Sequence, residues 1–238
     1  MVEKQDEQFR RDGYIVIDTG IDQKWLDAAC VAIDEAYEED GDNRMYDMVL
    51  KHNCVKQIAL DINILETLAV LYGFPMRPAQ SMSFRKGTEQ AVHSDTVHFN
   101  TAPAGRMCGV WVALDDVTYE EGPLLYYPGS HTLPEYTMAD VGTEPPVNDG
   151  YTPCPAYTDY MAKVVERENM PSQMFTCRQG QAIIWASNLL HGGMPILKED
   201  STRHSQVTHY YGADCTYYRP MFSTPGDLNT FEPRWINW

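Results

Sequence analysis

A mainly β fold with flanking α-helices, closed as a jelly-roll barrel (a double-stranded β-helix, cupin-like), is what the sequence predicts. Two observations predict it. Helical periodicity is confined to the first part of the chain, and short β-like runs punctuated by Gly and Pro follow, broken by one long excursion. The chain 1–238 reads as a single domain, with N-terminal helices over about 1–75, a jelly-roll core over about 76–212 and a lid-like insert over about 128–172.

The elements follow in order. Gly-Tyr-Ile-Val-Ile at 13–17 reads as a short strand. Asp22 can cap a helix over about 22–39, where Trp25, Leu26, Ala29, Ile33, Ala36 and Tyr37 recur at helical spacing and Gly41 stops it. Met45, Met48, Tyr46 and Val49 suggest a second short helix, with the methionines as core packing. Ile62–Tyr72 reads as a third, closed by Gly73 and Pro75. Strands are expected near 79–85, 91–99, 106–114, 123–127, 173–177, 181–187 and 203–211. Within the insert, Pro, Gly and Thr dominate the first half, and Tyr157–Glu168 looks helical.

Composition narrows the partners. The formal net charge is −16, from 34 acidic and 18 basic residues, which argues against nucleic acid or anionic membrane, both of which need a basic footprint. No run reaches the roughly 18 apolar residues of a membrane helix. The opening MVEKQDEQFRRDG lacks an apolar signal core, and RWINW matches no anchor or retention signal. Cys30, Cys54, Cys108, Cys154, Cys177 and Cys215 form no CxxC pair, so reduced thiols in a cytoplasmic protein are expected. A small-molecule substrate is the expected partner; oligomeric state is not legible.

The chemistry concentrates in AVHSDTVHF and NLLHGG. His93 and Asp95 stand two apart, and on a strand both would point to one face. His191 ends the apolar strand AIIWASNLL, 98 residues later. Two imidazoles and one carboxylate on one face of an octahedron leave three positions open, which suits an iron(II) oxygenase that binds co-substrate and oxygen together. A lone HxD is a weak signal; its context strengthens it. Arg203 follows His191 by twelve residues at the start of RHSQVTHYY, and Ser205 shares its face. A guanidinium beside a hydroxyl is a receptor for a terminal carboxylate.

On these residues the chain resembles the phytanoyl-CoA dioxygenase (PhyH) family of iron(II)/2-oxoglutarate-dependent oxygenases. The resemblance runs over nearly the whole chain, through FRRDGYIVID, RKGTEQAVHSDTVHF, GVWVALDDVTYEEGPLLYYPGSH, RQGQAIIWASNLLHGG and STRHSQVTHYYG. It implies Fe(2+) held by His93, Asp95 and His191, 2-oxoglutarate received by Arg203 with Ser205 as helper, and O2 as oxidant. It also implies that Trp111, eighteen residues after His93, lines the co-substrate pocket. Family halogenases replace the motif carboxylate with a small residue. Asp95 is kept, which implies hydroxylation or a related oxidation. No CoA-specific motif is visible, so the acyl-CoA substrate in the family name is not carried over.

Other residues are weighed beside these. By alternation His98 should face away from His93, as a structural or substrate-adjacent group, and His204 should turn away from Arg203 and face out. His131, in PGSH, reads as structural. Of the strand Gln80–Arg85, either Gln80, Met82 and Phe84 or Ser81, Ser83 and Arg85 should see the pocket. Tyr126, Arg106, Tyr210, Tyr211, Tyr217 and Tyr218 are further candidates. The polarity of these sets hints at a polar metabolite. Two rival readings stand: a metal-dependent cupin-like hydrolase or isomerase, and a non-catalytic jelly-roll binding protein. The first needs no Arg203–Ser205 receptor, and the intact triad argues against the second.

Overall fold

The computed structural model describes residues 2–143, 154–224 and 226–238. Six helices and eleven strands are named here in chain order. The N-terminal part holds α1 (Val2–Asp12), β1 (Tyr14–Asp18), α2 (Gln23–Asp40), β2 (Arg44–Tyr46), α3 (Asn53–Ala59), α4 (Ile62–Tyr72) and β3 (Met76–Phe84). Then come β4 (Asn100–Ala102), β5 (Met107–Ala113), β6 (Leu124–Tyr126), α5 (Met138–Val141) and α6 (Pro155–Arg167). β7 (Gln173–Phe175), β8 (Gln181–Ala186), β9 (His191–Gly193), β10 (Ser205–Gly212) and β11 (Thr216–Tyr218) complete the set.

Helix boundaries follow their caps. Asp22 accepts from the Lys24 amide, and Gly41 closes α2 at φ 70°. Asp61 accepts from the amides of Asn63 and Ile64, and Gly73 closes α4 at φ 74°. Two expectations need correction. Around Met45 the chain forms the edge strand β2 and then a single 3-10 turn, Met48–Leu50, because Arg44–Tyr46 pairs with the free edge of β3. Helices α1 and α3 were not anticipated; α1 is almost wholly polar and is held through Phe9, which packs edge-on against Tyr72.

The main sheet is antiparallel, with strand order β1-β8-β5-β10-β3-β2. A smaller sheet, β7-β6-β9, supplies the opposing layer, and β11 pairs with β4. This is the two-sheet jelly-roll arrangement with helices on one outer face, although hydrogen bonding does not close it into a barrel. Alternation divides each central strand. Cys108, Val110 and Val112 of β5 and Ala182 and Ile184 of β8 pack with the helices. Trp111, Ala113, Ile183 and Trp185 face the smaller sheet, where Tyr126 and Phe175 meet them. Both faces are covered, which is why these strands read as continuous apolar runs.

The insert contributes α5 and α6; its residues 144–153 lie outside the described part. α6 buries Tyr157, Met161 and Val164 against Val97, Tyr127 and Leu190. Among the described residues no helix is long and apolar enough to cross a membrane.

Candidate active site

The cavity floor is a ladder of side chains. β10 pairs with β3 on one side and β5 on the other, and β5 pairs with β8. The register gives three rungs: Phe84–Ser205–Ala113, then Met82–Val207–Trp111–Ile183, then Gln80–His209–Gly109–Trp185. Rungs stand two residues apart, about 6.7 Å. The open choice on β3 falls to Gln80, Met82 and Phe84, which line a cavity of about 320 Å³. Val207 and His209 line it from β10, Arg203 from just before that strand, and Trp111 and Trp185 from β5 and β8.

His93, Asp95 and His191 meet over the third rung, but not on a continuous strand. Ser94 accepts from the Thr96 amide and starts a 3-10 turn, Asp95–Val97, which breaks the expected strand 91–99. Only His93 pairs, exchanging two backbone hydrogen bonds of 2.9 Å with His191. This bridge holds the two imidazoles with ring centroids 4.4 Å apart. The turn then swings the Asp95 carboxylate in beside them.

Hydrogen bonding fixes the ring tautomers. His93 Nδ1 lies 2.9 Å from the Ala91 carbonyl, and His191 Nδ1 lies 3.0 Å from the Leu189 carbonyl. A carbonyl only accepts, so both Nδ1 atoms carry a proton and Nε2 is the ring nitrogen turned toward the site. His93 Nε2 accepts from the Gln90 amide at 3.0 Å, while Gln90 Oε1 accepts from Arg44 at 2.7 Å. His191 Nε2 faces Asp95 Oδ1 at 3.7 Å. Asp95 Oδ2 accepts from the Trp185 indole at 2.7 Å and lies 3.4 Å from His209 Nε2. One ligand atom from each of the three residues lies within 4.8 Å of the others, and all three residues are buried.

Burial, and then the neighbouring His191, hold the His93 ring well below the ordinary imidazole range. For Asp95, burial pushes the carboxyl up, but His191 and His209 outweigh it and hold it well below the carboxylate range. A carboxylate and two imidazoles that converge in this way are a group that could hold a divalent cation.

Arg203 and Ser205 stand at the other end of the ladder. The Arg203 guanidinium is 3% exposed, donates to the Gly122 carbonyl and lies over the Trp111 ring at 5.5 Å. Among the described residues its Nε has no partner, nor does Ser205 Oγ, and Arg203 makes no ion pair. Burial pushes the guanidinium down to about 10, opposed by the Cys177 thiol. A buried, unpaired cation beside an unpaired hydroxyl is costly in isolation and suits an anionic ligand.

Several expectations are corrected here. His98 lines the cavity rather than facing away from it, because the 3-10 turn cancels strand alternation. His204 turns away from Arg203 but is buried under α2, with Nδ1 2.7 Å from Asp115 and Nε2 3.1 Å from Asp34. Arg106 stacks on Phe74, Tyr126 donates to Gln173, Tyr210 to the Ala59 carbonyl and Tyr217 to the Gly212 carbonyl. These four, with Tyr211 and Tyr218, do not line the cavity; Arg219, Met221 and Phe222 do. His131 contacts the Arg10 carbonyl at 3.2 Å, a structural position. Sequence reasoning missed Trp185, Gln90 and His209. His209 was within reach, since it continues the alternation Arg203, Ser205, Val207.

Known proteins compare as follows. The family model described as Phytanoyl-CoA dioxygenase (PhyH) matches residues 75–205. Phytanoyl-CoA dioxygenase domain-containing protein 1 of Danio rerio is 28% identical over 137 residues, 56% of this chain and 43% of that protein. The match thus spans less than half the length of that relative. Among solved structures, the non-heme alpha ketoglutarate dependent carbocyclase SnoK from nogalamycin biosynthesis has a TM-score of 0.70 at 20% identity, covering 90% of this chain and 86% of its own. The epimerase SnoN in complex with Fe3+, alpha ketoglutarate and nogalamycin RO has a TM-score of 0.69 at 21% identity, covering 99% and 98%. EctD from S. alaskensis with 2-oxoglutarate and 5-hydroxyectoine has a TM-score of 0.69 at 18% identity, covering 94% and 80%. At such identities these likenesses show the fold.

Proposed function

The chain belongs to the phytanoyl-CoA dioxygenase family, and from that premise we propose that it is an iron(II)- and 2-oxoglutarate-dependent dioxygenase. Its reaction is the hydroxylation of an aliphatic carbon of a small, polar metabolite, with release of succinate and carbon dioxide. The observation that carries this reading is the convergence of His93, Asp95 and His191, three buried residues whose ligand atoms all lie within 4.8 Å of one another, with His191 Nε2 3.7 Å from Asp95 Oδ1. A divalent cation would sit among these atoms, with His93 Nε2, which meets the Gln90 amide, as the third ligand.

The residues fit the groups. His93, Asp95 and His191 would hold iron(II), with Asp95 using Oδ1 because Oδ2 is engaged by Trp185. Arg203 Nε and Ser205 Oγ, buried and without partners among the described residues, would receive the far carboxylate of 2-oxoglutarate. The middle rung, Met82, Val207 and Trp111, is the apolar floor its methylenes would cross. When bound, iron(II) and 2-oxoglutarate supply the activation of O2 and the two-electron oxidation. The protein fixes ligand geometry, neutralises the co-substrate and excludes water. A cupin-like hydrolase, isomerase or binding protein would have no use for a buried unpaired guanidinium.

The test is an anaerobic titration of the metal-free protein with iron(II) and 2-oxoglutarate, following the weak visible metal-to-ligand charge-transfer band. The band should appear only with both and weaken in Arg203→Ala. A folded protein that binds metal yet gives no band would overturn the proposal.

A further inference from the structure

The third rung holds a second set of unpaired polar atoms, separate from Arg203 and Ser205. Gln80 Oε1 and both ring nitrogens of His209 are buried without a hydrogen-bond partner among the described residues. Gln80 and His209 are direct cross-strand partners on one face, and both line the cavity. Immediately past them the register of β3 against β10 shifts, between His209 and Tyr210. Bulges gather beside active sites, where they re-aim side chains.

The co-substrate cannot satisfy these atoms as well as Arg203. Ser205 and His209 are four residues apart on one strand, about 13 Å. A five-carbon diacid reaching from Arg203 to the metal ligands ends where the third rung begins. His209 Nε2 already lies 3.4 Å from Asp95 Oδ2, so this rung borders the candidate ligand triad, while Ser205 stands two rungs away. Phe99 is centred 5.6 Å from His209, and Met221 and Phe222 line the cavity together with the polar His98 and Arg219. Unpaired buried polar atoms are costly and rare in native proteins.

We propose that Gln80 and His209 form the subsite that receives the primary substrate, and that it reads a hydrogen-bond-donating group, a hydroxyl or an amine, close to the carbon that is oxidised. Gln80 Oε1 is an acceptor only, so its partner must bring an O–H or N–H. Of the His209 nitrogens, Nε2 faces a carboxylate, which leaves Nδ1 to the ligand. The inference rests on the oxygenase reading and narrows its polar metabolite to a donor-bearing one, such as an alcohol, a sugar or an amine.

The experiment uses the protein loaded anaerobically with iron(II) and 2-oxoglutarate, so that nothing turns over. The probes are tetrahydropyranol, tetrahydropyranylamine and methyltetrahydropyran, matched in size. Binding is followed by NMR titration, with paramagnetic broadening reporting closeness to iron. In the wild type the alcohol and the amine should bind about tenfold more tightly than the methyl compound, the worth of one good hydrogen bond. Gln80→Leu should erase that preference, and Gln80→Glu should turn it toward the amine. A preference that survives both Gln80→Leu and His209→Phe would overturn the subsite, as would wild-type protein that binds the methyl compound equally well or binds neither donor. The charge-transfer band is recorded first. Its absence in the wild type sinks the oxygenase reading; its presence with no donor preference sinks the subsite alone.

Discussion

Replacing Trp185 with Phe should loosen the metal without loosening the fold. The indole N–H reaches Asp95 Oδ2 at 2.7 Å, with both residues buried. A hydrogen bond to a charged group contributes roughly 1.5–3 kcal/mol, about a 10- to 100-fold change in an equilibrium constant. Loss of an outer-shell partner elsewhere weakens metal binding by about the same factor. Packing is largely kept, because the Trp185 ring sits against Gly109, where an added Cβ would come within 2.4 Å of it, and Phe retains a ring there. The dissociation constant is measured anaerobically, iron(II) against a chromophoric chelator, with circular dichroism as a check on folding. A folded variant whose affinity stays within about twofold of wild type, a difference of only ~0.4 kcal/mol, would refute the assignment of Asp95 as a ligand oriented through Oδ2.

Arg203→Met should raise the 2-oxoglutarate concentration for half-saturation at least about 100-fold, as expected for a buried charge pair broken on one side. The same variant without ligands should melt no lower than wild type, since an unpaired buried cation has been removed; a clear fall in Tm would speak against that account. Gln90→Ala should tighten metal binding roughly two- to tenfold, because the amide that competes for the His93 lone pair is gone; weaker binding in the chelator assay would mean that Gln90 supports the metal instead. His204 is raised above its ordinary value of 6.5: burial lowers it, but Asp115 and then Asp34 outweigh burial. Its stabilising contribution is therefore complete below the unfolded value and lost as pH rises through the folded one. The Tm gap between wild type and His204→Gln should narrow between about pH 6, below the unfolded imidazole value, and about pH 9, well above it; a constant gap would remove the ion-pair explanation. If the 128–172 insert closes over the site, iron(II) and 2-oxoglutarate should slow limited proteolysis within it, and equal cleavage with and without them would count against a lid.

The parts of the fold legible in the sequence are those with a local cause. Asp22 with Gly41 and Asp61 with Gly73 mark their helices because capping is decided within a turn of the chain. β10 was legible because one residue in two faces each side, which puts Ser205, Val207 and His209 on one face. The run 91–99 misled because Ser94 ends the strand through its own side chain, and alternation cannot see such a turn. That error moved His98 to the wrong side while leaving His93 and Asp95 together. Helix α1 was hidden because a helix anchored through Phe9 has little periodicity to read. Gln80 could not be chosen over Ser81 until the β3–β10 register was known. Trp185 is tied to Asp95 across 90 residues, a contact that no local pattern announces.

β10 serves two layers at once. Val207 and His209, with Arg203 just before the strand, line the cavity, while His204 before it and Gln206 and Tyr210 within it grip Asp34 on α2, Val55 on α3 and Ala59 at the end of α3. Inserting or deleting one residue here would exchange the two sets, placing His204 and Gln206 in the cavity and Arg203 and His209 against the helices. The strand can therefore drift in sequence but not in length. New specificities on this scaffold have to be written in the segments free to grow and shrink, the 128–172 insert and the rim around Arg219, and not in the strand that carries the receptor.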